Sequence, residues 1–231
     1  DRKKILDFVL NGEGYAPGDH GITPPVFDNY TIDDIQGFQL DIDSAKYFLS
    51  QAGYPNGKDF PKIELLLNAE GDRNTNVAVE VQKQLKDHLN IDIELVILPF
   101  AQLVEKSLQG SFNIIRTGWM ADYPNPENFL WQFYSKTLPA NKNENAYPNI
   151  GRYVNKQYDE LYEKGINARS IEEANAYFKQ AEKLLMKDAP ILVLWYDEGY
   201  RLEKSYIKNF DNNPMQYRDL SEVYIEKAEQ L

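Results

Sequence analysis

The chain has 231 residues, 42% hydrophobic and 26% charged, which is enough to bury a sizeable core in one large domain or two small ones. Its 36 acidic against 25 basic side chains leave a net charge of −11, which argues against nucleic acid as a partner, because that binding rests on concentrated Lys and Arg; cationic and zwitterionic ligands stay open. The absence of cysteine excludes disulfides, thiolate metal sites and a Cys nucleophile, and the longest apolar run, Ala189 to Tyr196, falls far short of the roughly 18 residues that span a bilayer.

The sequence begins at Asp1 directly on a helical pattern, without an initiator Met or the apolar region of a secretory signal, so it reads as an interior piece of a longer polypeptide, with a processed mature chain as the alternative. Ile5, Leu6, Phe8, Val9 and Leu10 predict one amphipathic helix over residues 1–10, ended by Asn11-Gly12. The loop GEGYAPGDHGITPP lacks the third glycine of a phosphate cradle, because Pro17 stands there. The next helix is expected over 43–52, with Asp43 as N-cap, Ala45, Phe48 and Leu49 inward and Gly53 just past its end, followed by a turn at Tyr54-Pro-Asn-Gly57.

A strand at 63–68, a helix at 76–89 with Val77, Val81, Leu85 and Leu89 on one face, an alternating strand at 91–97 and a helix at 101–108 then lead through Gly110 to a third strand at Phe112, Ile114 and Ile115. This is a βαβαβ pattern, that of a layered sheet with helices. Where the third strand stops, Arg116, Gly118, Trp119, Asp122 and Tyr123 follow at once, then Pro124 and Pro126. Asn125, Pro126 and Glu127 fit an N-cap, an N1 proline and a first-turn acid for a helix carrying Phe129, Leu130 and Phe133. Residues 136–155, rich in asparagine, predict a long surface loop. A helical hairpin follows, from Gln157 to Ala168 and then from the capping box Ser170 to Glu173 onward. Ile191 to Tyr196 predicts a strand covered on both faces, and from Gly199 the pattern loosens.

Two histidines, His20 and His88, cannot assemble a His-rich metal site, and no serine sits in a nucleophile frame. A glycosidase-like hydrolase working through Asp122 would need a second carboxylate across a cleft, and the sequence names none. Taken singly, Trp119 fits a core aromatic, Asp122 a turn or helix-start residue and Arg116 a surface ion pair. Together, an aromatic platform, an anion and a cation between residues 116 and 122 suit both termini of a small zwitterion.

The ordered blocks DRKKIL, GYAPGDHGITPP, AKYFLSQAGYPNGKDFP, VQKQLKDHLNIDIEL, GWMADYPNPENFL and AEKLLMKDAPILVLWY resemble, nearly end to end, the C-terminal lobe of the family 5 bacterial solute-binding proteins, the oligopeptide- and dipeptide-binding receptors of ABC importers. The resemblance implies an α/β, periplasmic-binding-protein-like (type II) lobe with a mixed β-sheet flanked by helices. Residues 1–198 would be the ligand-binding lobe and 199–231 a crossover returning toward an N-terminal lobe. Members hold an extended peptide between two lobes by main-chain pairing. By position in the motif GW-x-AD-[YF], Asp122 would take the ligand's α-ammonium, with Trp119 beside it and Tyr123 closing the motif, and Arg116 would meet a short peptide's carboxylate.

The resemblance further implies no catalysis, no cofactor, no metal and no nucleic acid. It implies an ABC permease as partner and a monomer placed outside the cytoplasm, in the periplasm or lipid-anchored at the cell surface. Some relatives carry nickel or oligosaccharides instead; Asp122 favours peptides.

Overall fold

The computed structural model describes residues 1–68, 71–213, 215 and 217–226. Asp1 caps α1 (Arg2–Lys4) by accepting from Lys4 N. The helix widens at once into a π-helical turn, Ile5–Val9, which buries Ile5, Leu6 and Leu10 but leaves Phe8 exposed. A short strand, β1 (Ala16–Pro17), precedes a long ordered segment that reaches α2 (Ile42–Gln51). After a 3-10 turn at Pro55–Gly57 come β2 (Ile63–Asn68), α3 (Gly71–Leu89), β3 (Ile93–Leu98), α4 (Phe100–Gln109) and β4 (Ile114–Ile115). Then follow α5 (Glu127–Leu130), 3-10 turns at Trp131–Phe133 and Ser135–Thr137, α6 (Lys156–Ile166), α7 (Ile171–Asp188), β5 (Trp195–Tyr196), β6 (Ile207–Lys208) and β7 (Tyr224–Ile225).

The βαβαβ pattern becomes a three-stranded parallel sheet of order β3-β2-β4, with Ile63 opposite Ile93 and Leu65 opposite Ile114. The central strand is the most apolar, and its Leu66 and Leu67 are fully buried. Leu49 of α2, Ala78 of α3, and Ile91 and Ile93 close one core over β2. Because β2, β3 and β4 run the same way, their C-terminal ends gather on one edge of the lobe, where ligands bind in open α/β sheets. The antiparallel pairings lie apart from this sheet, β1 with β5 and β6 with β7.

A second core lies under the 112–130 stretch. The α6–α7 hairpin brings Tyr158, Tyr162, Phe178, Ala181 and Leu185 against Ala121, Phe129 and Leu130. The helices approach so closely that a Cβ on Gly165 would stand 2.3 Å from the Phe178 ring, so only glycine fits there. The 22–35 segment is tied to α7 by Glu182, which is wholly buried and accepts from Thr23 N at 2.7 Å, Thr23 Oγ1 at 3.0 Å and Tyr30 Oη at 2.6 Å. Burial raises the Glu182 pKa, and these bonds oppose the rise without cancelling it.

The Ser170 cap and the Gly53 end of α2 form as the sequence predicts, whereas Asn155, the last residue of the expected loop, is the N-cap of α6. Four expectations are corrected. The N-cap of α2 is Asp41, whose extended backbone lets its carboxylate accept from Ser44 N, and Phe48 points outward, 66% exposed, rather than inward. Residues 1–10 are not a single α-helix, since a π turn occupies Ile5–Val9. Of the 191–196 run only Trp195 and Tyr196 form a strand, which pairs with β1 rather than entering the parallel sheet. The 136–155 loop is partly interior: Ala146 and Asn149 are fully buried, with Ala146 N bonded to Leu108 O at 2.8 Å and Asn149 bonded to both backbone polar atoms of Tyr153. Of the 199–231 segment, residues 214, 216 and 227–231 lie outside the described residues, and β6 and β7 pair within the rest.

Candidate functional site

Strand β4 is short, yet its pairing continues one residue further, because Arg116 N donates to Leu66 O at 2.8 Å. That bond fixes the point at which the chain leaves the sheet and turns toward Trp119. The helix beyond starts one residue later than the sequence predicts, with Pro126 at its N-cap, and Asn125 braces that start: its Oδ1 accepts from Glu127 N at 2.9 Å, and its O accepts from Asn128 N at 3.1 Å. Helix α5 is brief, and its first turn turns Asn128 inward, 1% exposed.

Asn128 holds the site together. Its Oδ1 accepts from the Trp119 indole Nε1 at 2.8 Å and from Asp122 N at 3.1 Å, so the ring and the backbone under the carboxylate share one anchor. Trp119 is half-buried and packs on the second core. The Asp122 side chain is exposed, and among the described residues no hydrogen-bond or ion-pair partner engages its carboxylate. Tyr123, 44% exposed, donates its hydroxyl to Glu127, which also accepts from Tyr162. Burial raises the Tyr123 pKa and Glu127 adds to the rise, so this hydroxyl stays protonated at neutral pH.

Arg116 occupies different surroundings. It is half-buried, its guanidinium carbon 5.9 Å from the Trp195 ring centroid, and among the described residues it forms no ion pair. On the same ring, at 5.3 Å, lies Arg73 from the first turn of α3. Asp197 neutralises it through two bonds, of 2.9 and 2.7 Å. Burial lowers the Arg116 pKa, the nearby Arg73 lowers it further and Asp197 opposes. Of two cations on one indole, the carboxylate takes Arg73 and leaves Arg116 for something else.

The expected residues therefore lie along one continuous segment at the C-terminal edge of the sheet, Asp122 with Trp119 and Tyr123 around Asn128, and Arg116 over Trp195. Asn128, Arg73, Trp195 and Asp197 complete the site and were not singled out from sequence. The one available signal was Trp195-Tyr-Asp197, an aromatic pair and an acid at a strand end, as in the 112–123 stretch. Glu127, the carboxylate nearest Asp122 on α5, is engaged by two tyrosines and is poorly placed for general acid or base work. Among the described residues no three His, Cys, Asp or Glu side chains cluster to hold a metal ion, and no helix is long and apolar enough to cross a membrane.

Residues 1–141 match the family described as bacterial extracellular solute-binding proteins, family 5, middle. The chain is 30% identical, over 98% of its length, to the periplasmic murein peptide-binding protein MppA of Escherichia coli K12, and 28% identical over 97% to the probable deoxycholate-binding periplasmic protein YgiS of the same organism. The crystal structure of a periplasmic oligopeptide-binding protein, OppAIV of Borrelia burgdorferi, superposes with a TM-score of 0.78 and 29% identity over 97% of this chain and 43% of that one. The chain spans 41% and 40% of the two curated relatives. With more than half of it matched by the family's description and nearly all of it by these relatives, the chain belongs to the bacterial extracellular solute-binding proteins, family 5.

Proposed function

We propose that this chain is one wall of a peptide-binding cleft, in a protein that captures oligo- or dipeptides outside the cytoplasm and hands them unchanged to an ABC permease. The observation that carries the reading is the Asp122 carboxylate: exposed, unpartnered among the described residues and set on backbone that buried Asn128 fixes. A fixed anion beside an indole suits an ammonium group, and a free guanidinium on the same edge of the sheet suits a carboxylate; a zwitterionic peptide carries both. The names of two relatives, a murein peptide-binding protein and an oligopeptide-binding protein, support the peptide class. Asp122, Trp119 and Tyr123 would bind the amino end and Arg116 the carboxyl end of a short ligand. Residues 1–198 would form the lobe and 199–231 the connection back to a second lobe, in a protein that acts as a monomer in the periplasm or at the cell surface.

The relative named for deoxycholate favours a second reading, an apolar solute with one carboxylate, which Arg116 and the aromatic rings would suit but which leaves Asp122 unused. Calorimetric titration of the whole protein with di-, tri- and pentapeptides, a bile acid, an oligosaccharide and nickel tests both. Peptide binding with no bile-acid response is expected, and bile-acid binding without peptide binding would replace the first reading by the second.

A further inference from the structure

Tyr147 differs from its neighbours along the chain. Ala146 and Asn149 are fully buried and Pro148 is buried, whereas Tyr147 is 57% exposed. The loop that carries it is pinned on both sides, by the Ala146 N to Leu108 O bond and by Asn149, whose side chain donates to Tyr153 O at 2.8 Å and accepts from Tyr153 N at 2.9 Å. No hydrogen bond among the described residues engages the Tyr147 hydroxyl, so polar contacts do not explain its placement. Its ring instead meets two others: its centroid lies 6.5 Å from Trp119 at 42°, and 5.8 Å from Trp131 at 89°. Trp119 shares Asn128 with Asp122, so the row of rings Trp119, Tyr147, Trp131 begins where the exposed carboxylate is held.

A rigidly held, solvent-facing ring set at an angle to a second ring and edge-on to a third makes an apolar corner. An apolar group entering it gains contact with three rings whose own conformational freedom is already lost. We infer that Trp119, Tyr147 and Trp131 form a subsite for an aromatic or large aliphatic side chain carried next to the ligand's ammonium, and that Tyr147 sets this preference. The inference rests on the proposed role of Asp122 and adds to it the class of first residue that the protein selects.

The test is calorimetry on the whole protein with Phe-Ala-Ala, Gly-Ala-Ala and Lys-Ala-Ala, each with a free and an acetylated amino end, with thermal melts to show that the variants stay folded. The wild type binds Phe-Ala-Ala at least roughly tenfold more tightly than Gly-Ala-Ala, since burial of a Phe side chain is worth that much or more. Tyr147→Ala lowers Phe-Ala-Ala affinity by roughly three- to tenfold and leaves Gly-Ala-Ala within about twofold, and Tyr147→Phe restores the preference. An equal effect of Tyr147→Ala on both peptides, or none on either, overturns the subsite; so does wild-type protein that binds Lys-Ala-Ala as tightly as Phe-Ala-Ala. If acetylation changes nothing while the Phe-to-Gly ratio still depends on Tyr147, the role of Asp122 fails and the ring subsite stands. If neither tripeptide binds, both fall.

Discussion

Replacing Asn128 by alanine removes the one acceptor shared by the Trp119 indole and the backbone of Asp122. Two hydrogen bonds, of 2.8 and 3.1 Å, end on the same oxygen, whose residue is 1% exposed. At a net contribution of about 1 kcal/mol each, their loss costs about 2 kcal/mol, and the small void left by the amide brings the total to about 2–3 kcal/mol. Both donors lie near the surface and can turn to water, which keeps the cost below that of two orphaned interior donors. In a folded unit of this chain's length the melting temperature falls by roughly 4–12 °C, and by less where the transition spans a longer whole protein. Circular-dichroism melts of the whole protein measure the first effect, and peptide titration measures the second, a loss of affinity caused by freeing Asp122 from its position. Asn128→Asp keeps the shape but buries a charge near Asp122, so it destabilises at least as much. An Asn128→Ala protein with wild-type melting and wild-type peptide affinity would refute the view that this amide organises the site.

Arg116→Ala should weaken dipeptides and tripeptides more than pentapeptides, because Arg116 and Asp122 occupy fixed places and only short ligands present their carboxylate to it; an equal loss at every length would make Arg116 structural. Stability should also depend on pH through Glu182. Its folded-state pKa is raised above the ordinary 4.5, so its contribution is fully present below about 4.5 and is lost as pH rises through the raised value. Denaturant melts between pH 4 and 8 should show the wild type losing stability relative to Glu182→Gln as pH climbs, and a gap that moves the other way would contradict the buried-carboxylate account.

What the sequence made legible was whatever local spacing decides. The 3.6-residue periodicity of Val77, Val81, Leu85 and Leu89 placed the body of α3, which begins earlier than its apolar stripe, at Gly71, and the hydroxyl of Ser170 marked a helix start that forms as predicted. The Asp41 and Asp43 pair shows the limit: either carboxylate can cap, and the choice fell to the residue whose backbone is extended. The parallel sheet was readable because each strand is apolar in itself, whereas the pairing of Trp195 and Tyr196 with Ala16 and Pro17 depends on a contact between distant parts of the chain. In the same way the 136–155 loop has the composition of surface chain, yet one backbone bond to Leu108 and one asparagine side chain pull it inward.

At the site, the motif gave Arg116, Trp119, Asp122 and Tyr123, the first two half-buried and the last two exposed. Their supports, Asn128 beneath two of them and Trp195 with the Arg73–Asp197 pair beside another, carry no local signature. Their roles arise only when α5, the start of α3 and β5 come together at the edge of the sheet.

Whether Asp122 receives a ligand's ammonium is decided by titrating wild type and Asp122→Asn with one tripeptide in free-amine and N-acetylated forms. Acetylation should weaken wild-type binding by roughly ten- to a hundredfold, the worth of a charge-assisted bond, and Asp122→Asn should bind both forms with similar, weakened affinity. A wild-type protein that holds the capped and free peptides equally tightly would contradict it.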